Sequence, residues 1–251
     1  MPAPSTTILT AAAIIDCISV NKKITPAQIS KELGLNRANT HRMLNTLEIA
    51  GYVTKNRDNT YRLTFKLFEL GNTVPHSSHL IDSAKPPMMR LEQRTGKTVT
   101  HAILYETEMI YIDKVDTDSK MHVDRNVGNT EPVYATSLGK AVAAFLPAKE
   151  RDELIRSLSF VPFTSYTITD AERFRDELQK VREKGYALND RELSMELCGI
   201  GAPVFGPSGR VVSAVSLSDA ADRLQASEAE EVAAEMIRTC SEITENLKKL
   251  Q

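Results

Sequence analysis

The 251-residue chain has no tryptophan, and only 6% of its residues are aromatic. Its three cysteines, Cys17, Cys198 and Cys240, are odd in number, far apart, and show neither a CxxC pair nor a Cys/His metal spacing. Such a set excludes a disulfide framework and fits a reducing compartment. No apolar run approaches the roughly 20 residues that a bilayer-spanning helix needs. The longest, AAAII at residues 11–15, has no basic segment before it. Neither a membrane span nor a signal peptide is therefore expected, and the protein is expected in the cytoplasm. Internal repeats and low-complexity tracts are also missing.

The length is generous for one domain and comfortable for two. A net charge of −2 argues on its own against a nucleic-acid binder. The charge is uneven, however. Residues 1–75 carry nine Lys or Arg against five Asp or Glu, which is +4, and the remainder carries 22 against 28, which is −6. A small basic end on an acidic body suits a chain whose N-terminal part meets phosphates.

Residues 7–19 read as a helix with Ile8, Ala11, Ala12, Ile15 and Ile18 along one face. In ITPAQISKELGL, Thr25 is a good N-cap, Pro26 suits the first helical position, and Gln28 completes a capping box. Ile29 and Leu33 share the buried face, and Gly34 supplies a left-handed stop. Asn36 caps the next helix, which is expected to run to about Ala50 before Gly51 ends it. Two short strands, Tyr52–Thr54 and Tyr61–Leu63, then flank a polar loop with Asp58 and Asn59, a hairpin signal. A hairpin directly after a helix-turn-helix is a wing. Residues 65–73 are expected to form one more helix, with Phe65, Leu67 and Phe68 apolar, and Pro75 with the polar residues after it marks a boundary.

In a helix-turn-helix, the second helix enters the major groove and its N-terminal residues touch base edges. Along NRANTHRMLNTLEIAGYV, Leu44 and Leu47 fall on one side with Thr40 and Met43 beside them, while polar groups crowd the start and the other side. Arg37 and Arg42 can donate bidentately to guanine, and Asn39 and Asn45 can pair with adenine. His41 can reach a base edge or a phosphate, and Thr40 is counted with this DNA-facing set. Phosphate contacts would come from helix-start amides and from Thr25 and Asn36. Lys55, Arg57 and Asn59 sit at the wing tip. The competing reading is a set of ordinary solvated residues on a small helical domain. The coincidence of two capped helices, a glycine turn, a wing and local positive charge favours double-stranded DNA as the partner.

The second region opens with a helix at about 79–95, then KTVTHAILYETEMIYIDKV as a hairpin with Glu106–Glu108 as its turn. KMHVDRNV (120–127) is a third strand candidate, followed by a helix from about 137 to 146. Residues 148–157 and 170–184 look helical; YALND, CGIGAPVF and RVVSAVSLS look like strands; a helix from about 226 closes the chain. A sheet with helices packed around it implies an α+β sensor-like domain. SLGKA is not a phosphate loop: Tyr134 stands where GxxxxGK[ST] needs its first glycine, and Ala141 replaces its Ser/Thr. His101 and His122 have no metal-ligand spacing and read as structural.

The stretches ITPAQISKELGLNRANTHRMLNTLEIAGYV, YRLTFKLFELG, EPVYATSLGKAVAAFLP and REKGYALNDRELSMELCGIGAPVFGPSGRVVSAVSLS, in that order, resemble the IclR family of bacterial transcription regulators. LTFKLFELG with VYATSLGKA is most similar to the branch that controls sugar-acid breakdown, the 2-keto-3-deoxygluconate regulators. The resemblance implies an α+β chain: a winged helix-turn-helix over 1–63, a linker helix and hinge over 64–78, and a GAF-like effector domain over 79–251. It implies a small carboxylate effector, such as a sugar acid or an aromatic acid, and no cofactor or metal. It further implies dimers through the DNA-binding domains, tetramers as dimers of dimers, near-palindromic operators, and a repressor of a catabolic operon.

By motif, the resemblance puts the effector at the backbone N–H groups of Ser137 and Leu138, where a helix start can hold a carboxylate. Asn189 stands where the family commonly has an acidic residue, with Asp190 next to it. Gly199 stands where it often has cysteine, and Cys198 lies one position earlier. Strand alternation can turn that thiol away from the pocket. Ser216 and Ser218, two apart, resemble pocket-lining hydroxyls, although on an edge strand they would face solvent. Two other readings stay open: a metabolite-hydrolysing enzyme using Cys198 or Asp190, and a GAF-like sensor acting through a protein partner. Nothing in the sequence assembles a nucleophile, a base and an oxyanion site.

If Arg42 makes a bidentate base contact, Arg42→Ala will weaken operator binding by ~1–3 kcal/mol. Equal affinities of the two proteins in a fluorescence titration would remove Arg42 from that role.

Overall fold

The computed structural model describes residues 3–77, 79–117, 126–221 and 226–250. Two compact units divide the chain between Ser77 and Ser78. The first holds α1 (Thr6–Asn21), α2 (Pro26–Glu32), α3 (Arg37–Ile49), the strands β1 (Val53–Lys55) and β2 (Tyr61–Leu63), and α4 (Phe65–Ser77). The capping box at α2 is complete: Thr25 Oγ1 accepts the Gln28 N–H, and Gln28 Oε1 accepts the Thr25 N–H. Asn36 Oδ1 accepts the Asn39 N–H at 2.8 Å and starts α3. Gly34, at φ +63°, makes the turn between the two helices. β1 and β2 pair antiparallel, and Tyr61 also bridges to Ile24, tying the wing to the segment before α2.

The core of this unit gathers Ile14, Ile18, Ile29, Leu44, Val53 and Tyr61. The stripe on α1 differs from the expected one. Ile14, Cys17 and Ile18 are buried, whereas Ile8 and Ala12 are exposed, because only the second half of α1 lies over α2 and α3. On α4, Phe65 and Phe68 are 86% and 72% exposed rather than packed. That helix also continues past Pro75 to Ser77, beyond the expected boundary.

The second unit begins with α5 (Leu80–Thr95) and the hairpin β3 (Thr98–Tyr105) and β4 (Glu108–Val115). Then come β5 (Thr130–Pro132), a 3-10 turn over Val133–Ala135, α6 (Ser137–Phe145), α7 (Ala148–Ser157) and α8 (Ala171–Lys184). β6 (Ala187–Asp190), β7 (Leu197–Phe205), β8 (Val211–Ala220) and α9 (Ala226–Lys249) complete it. Residues 118–125, with His122 and most of the expected strand over 120–127, lie outside the described residues; Asn126 and Val127 are not in a strand.

The six strands form one antiparallel sheet in the order β5-β4-β3-β8-β7-β6. Alternation sorts the two faces. Val99, Ile200, Ala202, Val204, Val215 and Leu217 meet α5 and α9. Ala102, Met109, Tyr111 and Ala214 meet α6, α7 and α8. Helices on both faces of an antiparallel sheet make this unit an α+β domain, as expected from its sequence. β8 is central, so Ser216 and Ser218 are buried rather than on an edge.

His101 sits on β3 with no exposure, its Nε2 2.9 Å from Ser213 Oγ. It stands in register with Asp113 of β4, whose Oδ1 takes Lys85 Nζ of α5 at 2.8 Å. Burial lowers the His101 pKa from 6.5 to about 4, against a smaller opposing pull from Asp113. The folded chain therefore refuses a proton that the unfolded chain accepts, and stability falls as pH drops from 6.5 towards 4. The loss approaches about 3 kcal/mol at the acid end. His101→Gln should remove this part of the pH dependence while keeping a partner for Ser213. Denaturant titrations at several pH values would show a wild-type-minus-variant difference that changes across the window; a constant difference would contradict it.

Candidate functional site

The DNA-facing candidates lie mostly where the helical spacing puts them. Arg37, His41, Arg42 and Asn45 on α3 are exposed, as are Lys55, Arg57 and Asn59 of the wing, while Asn39 is half-buried. Thr40 is the exception. It is fully buried, its Oγ1 accepting from Ser30 Oγ at 2.9 Å and donating to the Asn36 carbonyl at 3.2 Å. Four residues before Leu44, it faces α2 and locks the two helices together, so it leaves the DNA-facing set. Thr25 is half-buried and its hydroxyl donates to Gln28 Oε1 at 2.7 Å, so a phosphate would have to compete with the cap.

Two supporting cations escaped the sequence reading. Lys66 Nζ reaches the Ala50 carbonyl at 2.7 Å and lies 4.7 Å from the Tyr52 ring centroid, closing the C-terminal end of α3. Arg62 Nε bonds Asn56 Oδ1 at 3.2 Å across the base of the wing loop. The wing is tied to α3 by the Lys55 N–H, which donates to Glu48 Oε1 at 3.0 Å. Lys66 follows the motif YRL by three residues, and nothing in helical or strand periodicity points it backwards.

In the second unit, one small cavity gathers Ser137, Leu138, Asn189, Cys198, Gly199, Ser216 and Ser218, with Tyr111 beside them. Its volume is about 10 Å³, close to the room of a single water. Three glycines set that tightness. A Cβ on Gly139 would stand 2.2 Å from the Val133 carbonyl oxygen, and one on Gly201 would stand 2.8 Å from the Ser137 carbonyl group. On Gly199 it would meet the Leu217 carbonyl at 2.8 Å and the hydroxyls of Ser137 and Ser218 at 3.5 Å. The first turn of α6 therefore rests directly on β7. Thr136 Oγ1 accepts the Gly139 N–H at 3.0 Å as N-cap. The amides of Ser137 and Leu138 precede any intrahelical acceptor, which gives this end of α6 its affinity for anions.

Around the cavity, several polar groups already serve the fold. Asn189 donates to the Ala135 carbonyl and accepts the Glu192 N–H, both at 3.0 Å, joining the turn before α6 to the loop after β6. An amide can do both, whereas the carboxylate expected by resemblance can only accept. Ser216 Oγ bonds Thr100 Oγ1 at 2.9 Å, and the Tyr111 hydroxyl donates to Glu131. Neither Thr100 nor Tyr111 was singled out in the sequence, because β3 and β4 become neighbours of this site only through the sheet order. The Cys198 thiol points at the carbonyls of Asp219 and Ala220, 3.6 and 3.4 Å away. Gly199 faces α6, so alternation sends the Cys198 side chain to the other face of β7, and the residue borders the cavity through its backbone.

Lys140, the lysine of SLGKA, is 1% exposed and lies 2.5 Å from Glu192 Oε1 and 3.6 Å from Glu177 Oε1. Burial pushes the Glu192 carboxyl above its usual range, and Lys140 opposes that shift. The lysine is thus a buried structural ion and not a phosphate ligand. Asp190 is exposed and paired with Arg191. His101 and Ser213 are bonded but both fully buried, where no substrate reaches. A larger groove of about 430 Å³ lies between α8, β7 and α9. Its floor is mainly apolar, and the Ala202 carbonyl and Phe205 N–H there are already taken by Cys240 and Thr244, so the small polar cavity is the better candidate. Among the described residues no cluster of His, Cys, Asp and Glu could hold a metal, and no helix is long and apolar enough to cross a membrane.

Comparison with known proteins matches residues 8–57 to the IclR helix-turn-helix domain and residues 72–245 to the C-terminal domain of the bacterial transcriptional regulator IclR. The transcriptional regulator XynR of Escherichia coli K12 is 34% identical over 201 residues, 80% of this chain and 80% of its own. KdgR of the same organism is 29% identical over 218 residues, covering 86% and 83% of the two chains. The crystal structure of an IclR homologue from Microbacterium hydrocarbonoxydans, complexed with 4-hydroxybenzoate, superposes with a TM-score of 0.84 over 97% of this chain and 100% of its own. At 20% identity it speaks for the fold alone.

Removing one partner of the buried pair beneath α6 leaves an uncompensated charge. Lys140→Ala should therefore cost ~3–5 kcal/mol. Lys140→Met combined with Glu192→Leu should cost clearly less than the sum of its single variants. Additive losses in urea titrations would show that the pair is not coupled.

Proposed function

The chain belongs to the IclR family of bacterial transcription regulators, and from that premise we propose how it divides its work. It is a ligand-responsive, DNA-binding regulator of catabolic genes, with relatives that include KdgR. Residues 1–63 act as the winged helix-turn-helix, 64–78 as linker, and 79–251 as the effector domain. The exposed start of α3 enters a major groove with Arg37, Asn39, His41, Arg42 and Asn45, while Lys55 and Arg57 of the wing meet the backbone or minor groove. Asn36 and the helix-start amides meet phosphates. The protein acts in the cytoplasm, carries out no reaction of its own, and represses until its effector arrives.

The effector is a small carboxylate, a sugar acid or an aromatic acid. One observation carries this reading: the amide end of α6 opens into the same cavity as the hydroxyls of Ser137, Ser216 and Ser218. Amides and hydroxyls hold a carboxylate without a cationic side chain. The 4-hydroxybenzoate on the Microbacterium homologue is an acid of this class. A cavity of about 10 Å³ must widen to admit such a group. That displacement gives the ligand a different free energy in the two states, without which it could shift nothing. The exposed Phe65 and Phe68 on α4 support dimerisation through the DNA-binding units, with tetramers formed through the effector units.

The test is a fluorescence titration on DNA from upstream of its own gene, against a scrambled duplex, at several salt concentrations and with a panel of sugar and aromatic acids. Tight binding to the native duplex, a steep salt slope and a shift with one acid are expected. Equal weak binding to both duplexes, insensitive to salt, would favour a sensor that acts through a protein partner. Ser137→Pro should keep DNA affinity and abolish the response to that acid. Proline is tolerated at the first helical position, and Thr136, at φ −126° and ψ 146°, already has the backbone that precedes a proline. Unchanged acid affinity in calorimetry would move the effector away from the α6 end.

A further inference from the structure

Two side chains on the outer start of α3 are already joined. Arg42 Nη2 donates to Asn39 Oδ1 at 3.1 Å, an i, i+3 contact on one face of the helix. The backbone beneath both side chains is held in place. The Asn39 N–H is fixed by the Asn36 cap at 2.8 Å, and Thr40, between the two residues, is locked to Ser30 in the core. Beyond it, the Arg42 carbonyl accepts from Thr46 Oγ1 at 2.9 Å.

The chemistry of base reading makes this contact consequential. An asparagine that reads adenine uses its amide oxygen for the N6 amino group and its Nδ2–H for N7. In Asn39 one of that oxygen's two lone pairs already accepts from Arg42, which turns the amide towards the guanidinium rather than squarely to a base edge, and its two N–H donors are left for a phosphate or a base acceptor. Arg42 gives up one of its five N–H groups and keeps four, still enough for O6 and N7 of guanine. A guanidinium anchored in this way starts from fewer rotamers than a free one, so less ordering remains at binding.

We propose that Asn39 is a positioning residue: it holds the Arg42 guanidinium, so that the pair reads a single guanine, and it does not read an adenine of its own. This replaces the adenine role that sequence gave Asn39 and leaves that role to Asn45. The inference rests on the DNA-reading role proposed for α3.

Base preference tests it directly. The full chain would select duplexes from a randomised pool, and affinities for every single-base change of the selected site would be measured for the wild type, Asn39→Ala, Asn39→Asp, Arg42→Ala and the Ala/Ala double variant. Arg42→Ala should flatten a guanine preference by roughly five- to hundredfold. Asn39→Ala should weaken the preference at that same position, and the double variant should be no flatter than Arg42→Ala. Asn39→Asp should keep the guanine preference, because a carboxylate accepts from the guanidinium equally well, even if overall affinity falls near the phosphates. An adenine preference at another position, lost in both Asn39→Ala and Asn39→Asp, would overturn the proposal. Effects of Asn39→Ala and Arg42→Ala that multiply, or an Asn39→Ala protein with every preference intact, would overturn it too. A wild type that enriches no sequence at all would overturn the DNA reading itself, and this inference with it.

Discussion

The effector unit depends on how closely the first turn of α6 lies against β7. That contact needs a bare position at Gly201, where a Cβ would sit 2.8 Å from the Ser137 carbonyl, while Gly139 lets the same turn of α6 fold back on Val133 and Gly199 leaves room beside the Leu217 carbonyl of β8. The close approach decides much else. It points the α6 amide end at the sheet, beside the hydroxyls of Ser216 and Ser218, instead of at solvent. It draws Lys140, on the same first turn, into the interior, where an ammonium survives only with a carboxylate in contact, and Glu192 supplies it. Glu192 in turn has its N–H fixed by Asn189, whose amide also holds the turn before α6. Glycines, asparagine and ion pair thus form one assembly around one helix end.

The winged-helix unit works through a related constraint. Its core is small, so caps and one buried hydroxyl pair decide which side of α3 is free. Thr40 and Ser30 bond inside, Asn36 caps outside, and the arginines and His41 are left on the surface by exclusion. The Lys66 ammonium over the α3 C-terminal carbonyls adds a favourable charge at the negative end of that helix. The +4 charge of residues 1–75 is therefore spread partly on structural duty and partly on the exposed face.

Much of this was legible in the residues themselves. The capping box at Thr25, the Gly34 turn, the hairpin and the 3.6-residue spacing of Leu44 and Leu47 are local signals, and each led to the right element. The cavity residues came together because their motif order implied a known architecture, not because spacing alone could join Ser137 to Ser216. What stayed hidden was set by pairs distant in sequence. Thr40 reads as polar and exposed until Ser30 is known to face it, and Cys198 is ambiguous until Gly199 is seen to face α6. Thr100 and Tyr111 reach the cavity through a sheet order that β8 completes between β3 and β7. The exposed aromatic face of α4 was missed for a different reason: periodicity reports an apolar stripe but not what covers it.

The same close packing bears on how a ligand could act. A cavity with room for about one water is a well-packed state, and close-packed interfaces do not deform gradually. An acid that enters must separate α6 from β7 or shift the hydroxyls of Ser216 and Thr100 from each other. Either change costs contacts that glycine had made close, and the ligand's amide and hydroxyl bonds offset that cost only in the open arrangement. Its apparent affinity is then lowered by the fraction of molecules that are open before it binds. Reciprocity follows: if the open arrangement weakens DNA binding by some factor, bound operator must weaken the acid's binding by the same factor. If a ligand enters there, a tighter α6–β7 contact makes the protein a less sensitive sensor, and Gly201, where a Cβ would meet the Ser137 carbonyl at 2.8 Å, is part of what sets that balance.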